Sequence, residues 1–451
     1  MQEVADDRHP LDRLKRELSL NDATMLVVSS VIGVGLFLTP GTVADLLPHP
    51  GLMLAAWLVG GLLSLAGALA NAELGAMYPH AGGDYVYLRH AYHPFAGFLV
   101  GWLSFFVIYA GTVATLAVGF AEALVPFIGL GDNGKVFIAV AITVGTSWIN
   151  YVGVRAGAQF NNVTGYVKII GLIAFTIAGV SFGQGNITNL EPLLPDGQTA
   201  SLAAFGLALS PILFTYLGWN ATVYVASEIR DPDRNVPRSL FLGLTVCIGV
   251  YLLINVLYLY ALPVEALRGE VRVGEAAARA LFGGAGGTLA AVLVLASIAG
   301  CLNATILVGP RIAYAMALDG LFFGGVERVH AINRTPHVAI VAQAASAIFL
   351  ILILRRFPSV LDYTTFAIVL ATIADTTALY ALRWKHPKRR RPYRAWGYPL
   401  VPALYLIANV AIAGALMWGR PLECAIALAV AATAAPFYFI LRGSPARVRH
   451  E

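Results

Sequence analysis

Long apolar runs follow one another along the whole chain and are separated by short polar connections. Each run has about 20 residues or more, the length that an α-helix needs to cross the hydrocarbon core of a bilayer. None of the connections is long enough for a soluble domain. We therefore predict an all-α integral membrane protein with about twelve transmembrane helices. The predicted spans are residues 22–47, 51–77, 94–125, 134–153, 159–183, 200–227, 238–262, 286–318, 337–355, 359–383, 398–419 and 421–441.

The composition favours a membrane protein over a chain of several soluble domains. Of its 451 residues, 58% are hydrophobic and only 12% are charged. The first 21 residues are charged and amphipathic, without the short apolar core and cleavage site of a signal peptide. The cysteines Cys247, Cys301 and Cys424 all fall within predicted spans, so the sequence implies no disulfide framework.

The basic residues are sorted to one side of the predicted membrane. If the spans alternate, 21 lysines and arginines lie on the side of the N-terminus and 7 on the other side. Because cytoplasmic loops carry the excess of Lys and Arg, we predict a multi-pass protein of the cell membrane with both termini cytoplasmic. The basic surplus thus reports topology and indicates no nucleic-acid partner. The run 388–391 either anchors this topology or binds anionic lipid of the bilayer.

Two glycines interrupt the first span near the middle of the membrane. Gly33 lies eleven residues after Asp22, which is ~17 Å along a helix and about half of the ~30 Å hydrocarbon core. A broken helix at this depth is tolerated only where it is buried in protein or lines a cavity. The stretch Gly33–Val34–Gly35 therefore indicates a binding site, with helix packing through the glycines as the alternative reading.

A second interruption, Tyr216–Leu217–Gly218–Trp219–Asn220, lies in the sixth span. Leu217 precedes Glu228 by eleven residues, so this break is also ~16 Å deep, near the midplane. Interruptions at corresponding positions of two halves are the best sequence indication of a transporter's substrate site. A packing glycine at a helix crossing is again the alternative.

Four motifs occur in order along the chain. They are Gly33–Val34–Gly35–Leu36–Phe37, then Tyr78–Pro79 with Gly82–Gly83–Asp84–Tyr85, then Phe214–Thr215–Tyr216–Leu217–Gly218–Trp219–Asn220 with Asn235–Val236–Pro237, and Gly309–Pro310–Arg311. Together they resemble the signatures of the amino acid–polyamine–organocation (APC) superfamily, and most closely those of its L-type amino acid transporter branch. In the first motif, Val34 stands where that family usually has serine.

The resemblance implies an inverted repeat of five plus five helices, with helices 1 and 6 broken and two further helices appended. The first repeat would cover residues 22–183 and the second 200–383, followed by two helices over 398–441. Residues 1–21 and 442–451 would be cytoplasmic tails. The implied activity is secondary transport of amino acids by alternating access, so we expect no enzyme activity, cofactor or metal site.

The groups at the two breaks suit a zwitterion. Free N–H groups from Gly33 onward suit a carboxylate, and carbonyls at Val31, Ile32 and 214–216 suit an ammonium. No acidic residue lies at either break, which favours neutral amino acids. The predicted substrate-binding residues are Val31, Ile32, Gly33, Val34, Gly35, Phe214, Thr215, Tyr216, Leu217, Gly218 and Asn303.

Three of these residues have more specific predicted roles. The resemblance implies that Phe214 is an aromatic gate above the substrate. Leu217 stands where several relatives carry glycine, so we expect a pocket for small amino acids. Asn303 in the eighth span would bond either the substrate or a neighbouring helix.

Lys168 is an ionisable residue ~14 Å inside the fifth span, where function is the default interpretation. The resemblance places such a lysine where other members of the fold bind sodium. It therefore predicts sodium-independent transport, as an exchanger or a facilitator. A proton-coupled symporter and a transport-defective amino acid sensor are the alternatives. Glu73 and Asp375 are further buried candidates, and the role of Asp375 stays open.

Two other protein classes fit less well. The nine histidines lie in tails, in loops or at span ends, unlike the clustered groups of an intramembrane enzyme. No filter repeat of a channel is visible. In animal L-type carriers a cysteine between spans three and four tethers a heavy chain. Residues 122–135 contain no cysteine, so we expect no disulfide-linked heavy chain.

Overall fold

The computed structural model describes residues 12–129, 131–193, 201–354 and 357–442. Within these residues the chain forms nineteen α-helices and no β-strand. The first nine are α1 (Leu20–Val31), α2 (Gly35–Leu46), α3 (Pro50–Met77), α4 (Asp84–Ala91), α5 (Pro94–Leu103), α6 (Ala110–Ile128), α7 (Asp132–Val152), α8 (Val154–Phe182) and α9 (Leu202–Thr215). The others are α10 (Ala221–Tyr224), α11 (Pro232–Ala261), α12 (Val264–Leu267), α13 (Val273–Phe282), α14 (Gly284–Val308), α15 (Pro310–Leu318), α16 (His337–Leu354), α17 (Phe357–Lys385), α18 (Leu400–Gly419) and α19 (Pro421–Arg442).

These helices provide the predicted membrane spans. In the described part of the chain, nine helical segments are long and apolar enough to cross a bilayer, and α1 with α2 forms a tenth, bent span. Helix α9 and residues 337–353 of α16 are shorter apolar helices at the predicted sixth and ninth spans. The all-α membrane fold of about twelve helices is thereby confirmed. The repeat boundaries stay a prediction.

The sixth span differs from a continuous helix over 200–227. After α9 the chain turns over residues 216–220, and only the four residues of α10 and a 3₁₀ turn, Ala226–Glu228, follow before α11. Isolated bridges pair Val225 with Ala81 and Ile229 with Leu18, so neighbouring segments satisfy backbone groups that a longer helix would satisfy internally. Residues 194–200 lie outside the described residues.

Three short helices lie outside the predicted spans. Helix α4 follows the Gly82–Gly83 turn after the second span, and α12 and α13 lie between the seventh and eighth. With four to ten residues each, they are too short to cross a bilayer, so a search for bilayer-length apolar runs does not predict them. The third span contains a π-helical segment, Ser104–Tyr109, between α5 and α6. Such segments occur frequently at functional sites.

The broken helices lie in the middle of the bundle. Helix α1 packs against α8, α11 and α14, and α2 packs against α9 and α13. Helix α10 contacts α1 and α14. The first and sixth spans therefore meet along their length, and both breaks face the protein interior rather than lipid.

Candidate functional site

The first break is a three-residue gap in the helix. Helix α1 begins at a capping box, in which Ser19 and Asp22 satisfy each other's backbone N–H groups, and it ends at Val31. Helix α2 starts at Gly35, and the two axes are bent by 46°. Since the first N–H groups of a helix have no acceptor inside it, those at Gly35 and Leu36 are available to a ligand. The predicted break at Gly33–Val34–Gly35 is present.

The second break depends on Gly218. This residue has φ +102°, a conformation that side chains other than glycine's strain to adopt. A Cβ atom here would also lie 2.8 Å from the Ser30 carbonyl oxygen of the first span. Gly218 therefore allows both the turn after α9 and the close approach of the two broken spans.

Gly35 of the first span makes a similarly close contact with the sixth span. A Cβ atom at this position would lie 2.8 Å from Thr215 Oγ1 and 2.9 Å from its methyl carbon. The Thr215 hydroxyl is itself 2.9 Å from Thr39 Oγ1 and donates to the Pro211 carbonyl at 2.9 Å. The space that a side chain at residue 35 would need is thus occupied by a hydrogen-bonded threonine.

Tyr251 of α11 joins the two breaks. Its hydroxyl lies 2.7 Å from the Val31 carbonyl and 3.0 Å from the Thr215 carbonyl, so it can donate to either. The ring is fully buried against Trp57 and Tyr216, with ring centroids 5.6 Å and 4.8 Å away. Sequence reasoning missed Tyr251, because a tyrosine inside an apolar span carries no motif.

A central cavity of about 150 Å³ lies where the breaks meet. Its walls come from both breaks, the π-helical segment, α6, α14 and α17. Eight predicted binding residues line it: Val31, Gly33, Val34, Gly35, Phe214, Thr215, Leu217 and Gly218. Six threonines are also among the lining residues, namely Thr112, Thr115, Thr215, Thr305, Thr364 and Thr372. The cavity therefore combines backbone groups, hydroxyls and an apolar wall.

Three predicted binding residues do not line this cavity. Ile32 is fully buried; its N–H donates to the Val28 carbonyl, and its own carbonyl accepts from Lys168. Tyr216 donates its hydroxyl to the Trp57 carbonyl. Asn303 accepts a hydrogen bond from Asn150 of α7 at 2.8 Å and donates one to the Gly157 carbonyl of α8 at 2.9 Å. Of the two alternatives for Asn303, the structure has the contact with neighbouring helices.

The carbonyls freed at the first break are largely engaged within the protein. The Val31 oxygen receives the Gly33 N–H at 2.8 Å and lies 2.7 Å from the Tyr251 hydroxyl, so both of its lone pairs are in use when Tyr251 donates to it. The Phe214 oxygen receives the Leu217 N–H at 3.1 Å and can accept a second bond. Fewer carbonyls than the sequence suggested are open to a ligand ammonium.

Lys168 projects from α8 onto the end of α1. Its Nζ donates to the Ile32 carbonyl at 2.8 Å and to the Ser29 carbonyl at 3.0 Å, and the residue is 1% exposed. In the described part of the chain it forms no ion pair with a carboxylate. The C-terminal end of a helix carries partial negative charge, which stabilises an ammonium there. A Cβ atom on Gly300 of α14 would lie 2.9 Å from Lys168 Cε, so this glycine provides the space for the lysine.

Asp84 also lines the cavity, although no acidic residue lies at either break. It is the first residue of α4, directly after the Gly82–Gly83 turn, and the Tyr224 hydroxyl of α10 donates to it. In the sequence, Asp84 is distinguished only by its place in the Gly82–Gly83–Asp84 motif. Its position in a loop gave no indication that the carboxyl reaches the cavity.

One end of the bundle is closed by residues 12–19, α4, residues 225–231 and α15, which we call the N-terminal face. The Leu18 N–H donates to the Glu228 carbonyl, and the Arg230 N–H donates to the Leu18 carbonyl, both at 2.9 Å. Glu228 also forms an ion pair through its side chain: Arg311 Nε and Nη2 donate to its carboxylate at 2.7 and 3.1 Å. Both side chains of this ion pair are almost completely buried, at 1% and 0% exposure.

The chain belongs to the amino acid permease family, whose model matches residues 18–439. It is similar to the serine/threonine exchanger SteT of Bacillus subtilis, with 30% identity covering 94% of this chain and 97% of the relative. The human large neutral amino acids transporter small subunit 2 is 29% identical, over 95% of this chain and 80% of its own. The human Asc-type amino acid transporter 1 is 24% identical, over 95% and 82%. The resemblance drawn from the four motifs is confirmed, and these relatives are amino acid transporters.

Substitution of Gly35 tests whether the first break binds substrate. Gly35→Leu is expected to abolish amino acid binding while the protein still inserts, because the side chain would displace Thr215 and cover the first N–H groups of α2. A scintillation-proximity assay with purified protein measures this. Gly206→Leu is the matched control, since Gly206 lies on α9 with open space around it. Unchanged affinity in the Gly35 variant would contradict carboxylate capture by the backbone.

Proposed function

We propose that this chain is a sodium-independent secondary transporter of small neutral L-amino acids, working by alternating access as an exchanger or a facilitator in the cell membrane. One observation carries the proposal: both broken helices end at the same buried cavity. Breaks of this kind are where half-helix ends and unwound backbone bind substrate in transporters. The names of the relatives support amino acids as the substrate class.

The two charges of the amino acid would meet different backbone groups. The carboxylate would accept from the N–H groups at the start of α2, where the helix dipole is positive. The ammonium would bind the remaining lone pair of the Phe214 carbonyl and hydroxyls of the cavity wall, because the Val31 carbonyl already has two donors. Neither contact involves the side chain of the amino acid, so selectivity among amino acids would depend on the residues of the cavity walls.

The walls support a small side chain. Leu217 and Phe214 form apolar walls beside the breaks, and the cavity volume is about 150 Å³. Phe214 also borders a second cavity with Leu38 and Thr42, on the side opposite the N-terminal face. A phenyl ring between two cavities supports the predicted gate above the substrate.

Sodium independence rests on Lys168. Its ammonium already supplies a positive charge to the Ile32 and Ser29 carbonyls at the end of α1. A sodium ion at the same oxygens would have to displace this buried group. We also propose that the carrier works without a disulfide-linked heavy chain, since residues 122–135 contain no cysteine.

The test is uptake of a radiolabelled amino acid, such as L-serine, into liposomes containing the purified protein. Competition by a panel of twenty amino acids would identify the substrates, and small neutral ones are expected to compete best. Uptake is expected to be the same in sodium and in choline. Binding without uptake would instead identify a sensor, and absence of both would overturn the proposal.

Substitution of Leu217 tests the size of the pocket. Leu217→Gly is expected to shift preference from alanine and serine toward larger or aromatic amino acids. The shift should be graded, because a few methylene groups in a pocket change discrimination by only ~1–3 kcal/mol. The competition panel measures it, with Leu400→Gly as control, since Leu400 is 73% exposed at the start of α18. If wild-type protein already prefers large substrates, the size argument fails.

A proton-coupled symporter is the second candidate function. The observation that favours it is the carboxyl group of Asp84 in the cavity wall, together with a second buried carboxyl beside it.

A further inference from the structure

Two buried carboxyl groups face each other where the cavity borders the N-terminal face. Asp84 at the start of α4 and Asp375 in the middle of α17 lie within hydrogen-bonding reach of one another. Each residue is only 1% exposed. Among the ion pairs of the described residues, none includes either carboxyl group. Within the described part of the chain, the pair therefore has no cation that balances two negative charges.

The surroundings of the pair are polar but uncharged. The titratable groups that face it from the packed elements are phenols, namely Tyr87 of α4, Tyr109 of the π-helical segment, Tyr224 of α10 and Tyr405 of α18. From α3, the Asn71 amide nitrogen lies 3.5 Å from Asp375 Oδ2. These groups supply few hydrogen bonds to the carboxyls. They supply no positive charge.

Several polar atoms around the pair have no hydrogen-bond partner among the residues that the structure describes. They are one oxygen of each carboxyl group, Asp84 Oδ1 and Asp375 Oδ1, with the Tyr87 hydroxyl and the Asn71 amide oxygen. All four residues are at least 98% buried. Buried polar atoms are nearly always hydrogen-bonded, so such a set indicates a site for a small ligand.

Electrostatics identifies that ligand as a proton. Two carboxylates side by side in a medium of low dielectric constant cannot both be ionised, so they share a proton. Burial in this setting raises the pKa of the Asp84 carboxyl. The proton belongs to the pair as a unit, because the two sites titrate together.

We infer that Asp84 and Asp375 together bind one exchangeable proton and that this proton crosses the membrane with the amino acid. The inference rests on the proposed transport of amino acids, and it replaces the exchanger or facilitator mode of that proposal by proton-coupled symport. It places the coupling group at the carboxyl pair, and Lys168 remains a fixed cation.

The proton transfer is balanced by water on both sides. When the cavity is open opposite the N-terminal face, a hydronium ion in its water donates a proton to the pair: an O–H bond of the hydronium breaks, an O–H bond forms at one carboxyl oxygen, and a water molecule remains. When the N-terminal face opens, water reaches the pair, the O–H bond breaks and the proton leaves on that side. No electron transfer is involved. The substrate and the proton leave through the same opening.

The experiment compares amino acid and proton movement in the same sodium-free proteoliposomes. Uptake of labelled L-serine or L-alanine is measured beside the fluorescence of a pH indicator enclosed in the lumen. Wild-type protein is expected to acidify the lumen as substrate enters. Asp375→Asn, which mimics the protonated acid in shape, is expected to lose acidification and accumulation driven by a pH gradient while retaining exchange. Asp84→Asn should also lose acidification, and because Asp84 lines the cavity as well, its substrate binding should change too.

Asp231→Asn is the matched control, because Asp231 is an exposed carboxyl in the turn before α11. A second readout is infrared spectroscopy, in which wild-type protein at neutral pH should show a protonated carboxyl band that Asp375→Asn lacks. Labelled uptake without acidification, or unchanged acidification in both pair variants, would overturn the inference and leave the transport function standing. Stimulation by sodium would identify a cation site instead. Absence of any amino acid uptake would overturn the transport function itself.

Discussion

Replacement of Lys168 by alanine is expected to reduce amino acid exchange by about 100-fold with a much smaller effect on folding. Two charge-assisted hydrogen bonds to the end of α1 would be lost, at about 1.5–3 kcal/mol each. Part of this energy holds the non-helical segment 32–34 in the shape that lines the cavity. Exchange of labelled substrate in proteoliposomes measures the first effect, and the melting temperature in detergent measures the second.

Two further variants make this prediction specific to the buried ammonium. Lys168→Arg should also fail, because a guanidinium is wider than an ammonium and the lysine is packed so closely against Gly300 that even an added Cβ atom there would lie 2.9 Å from Lys168 Cε. Lys388→Ala, at an exposed lysine, should exchange at the wild-type rate. Near-normal exchange by Lys168→Ala would contradict the role of the lysine. A collapse of wild-type uptake when choline replaces sodium would contradict its role as a substitute for sodium.

Replacement of Arg311 by methionine is expected to destabilise the protein by about 3–5 kcal/mol, the cost of leaving one partner of a buried ion pair unpaired. Glu228 is fully buried and would lose both bonds from the guanidinium without gaining contact with water. The melting temperature in detergent should fall accordingly. Since Glu228 also accepts the Leu18 N–H through its carbonyl, the contact between residues 12–19 and residues 225–231 should weaken.

The double variant Arg311→Met with Glu228→Gln removes both charges and should recover most of the lost stability. Arg279→Met is the control, because its pair with Glu275 is exposed, at 66% and 28%, and such pairs contribute about 0.2–1 kcal/mol. A double variant no more stable than Arg311→Met would show that shape, rather than charge, fixes this contact.

The sequence predicted those features that depend on bilayer length or on backbone conformation. A span must be long and apolar wherever it packs, so the spans could be found without knowing their neighbours. The two breaks could be found because glycine destabilises the interior of a helix. Gly33, Gly35 and Gly218 within predicted spans therefore indicated non-helical backbone. Lys168 could be found because a charge at that depth is costly.

Features that depend on which helices become neighbours could not be predicted. Asn303 contacts Asn150 and Gly157, more than 140 positions away in the chain, so its partners were unknown before the fold. Asp84 belongs to a loop motif, and only the packing of α4 against α17 brings it beside Asp375. Helix α10 is short because bridges from Leu18 and Ala81 replace helical hydrogen bonds, and a local pattern contains no information on these bridges.

The hydroxyl of Tyr251 has a mechanical consequence. It lies within hydrogen-bonding distance of one carbonyl from each break, so α11 contacts both discontinuities through one hydroxyl group that can donate to either. If an amino acid binds the start of α2 as proposed and displaces it, contact through this hydroxyl would transmit the displacement to the end of α9. Gly33 and Gly218 are 185 positions apart in the chain, yet the two interruptions would then move together as one hinge.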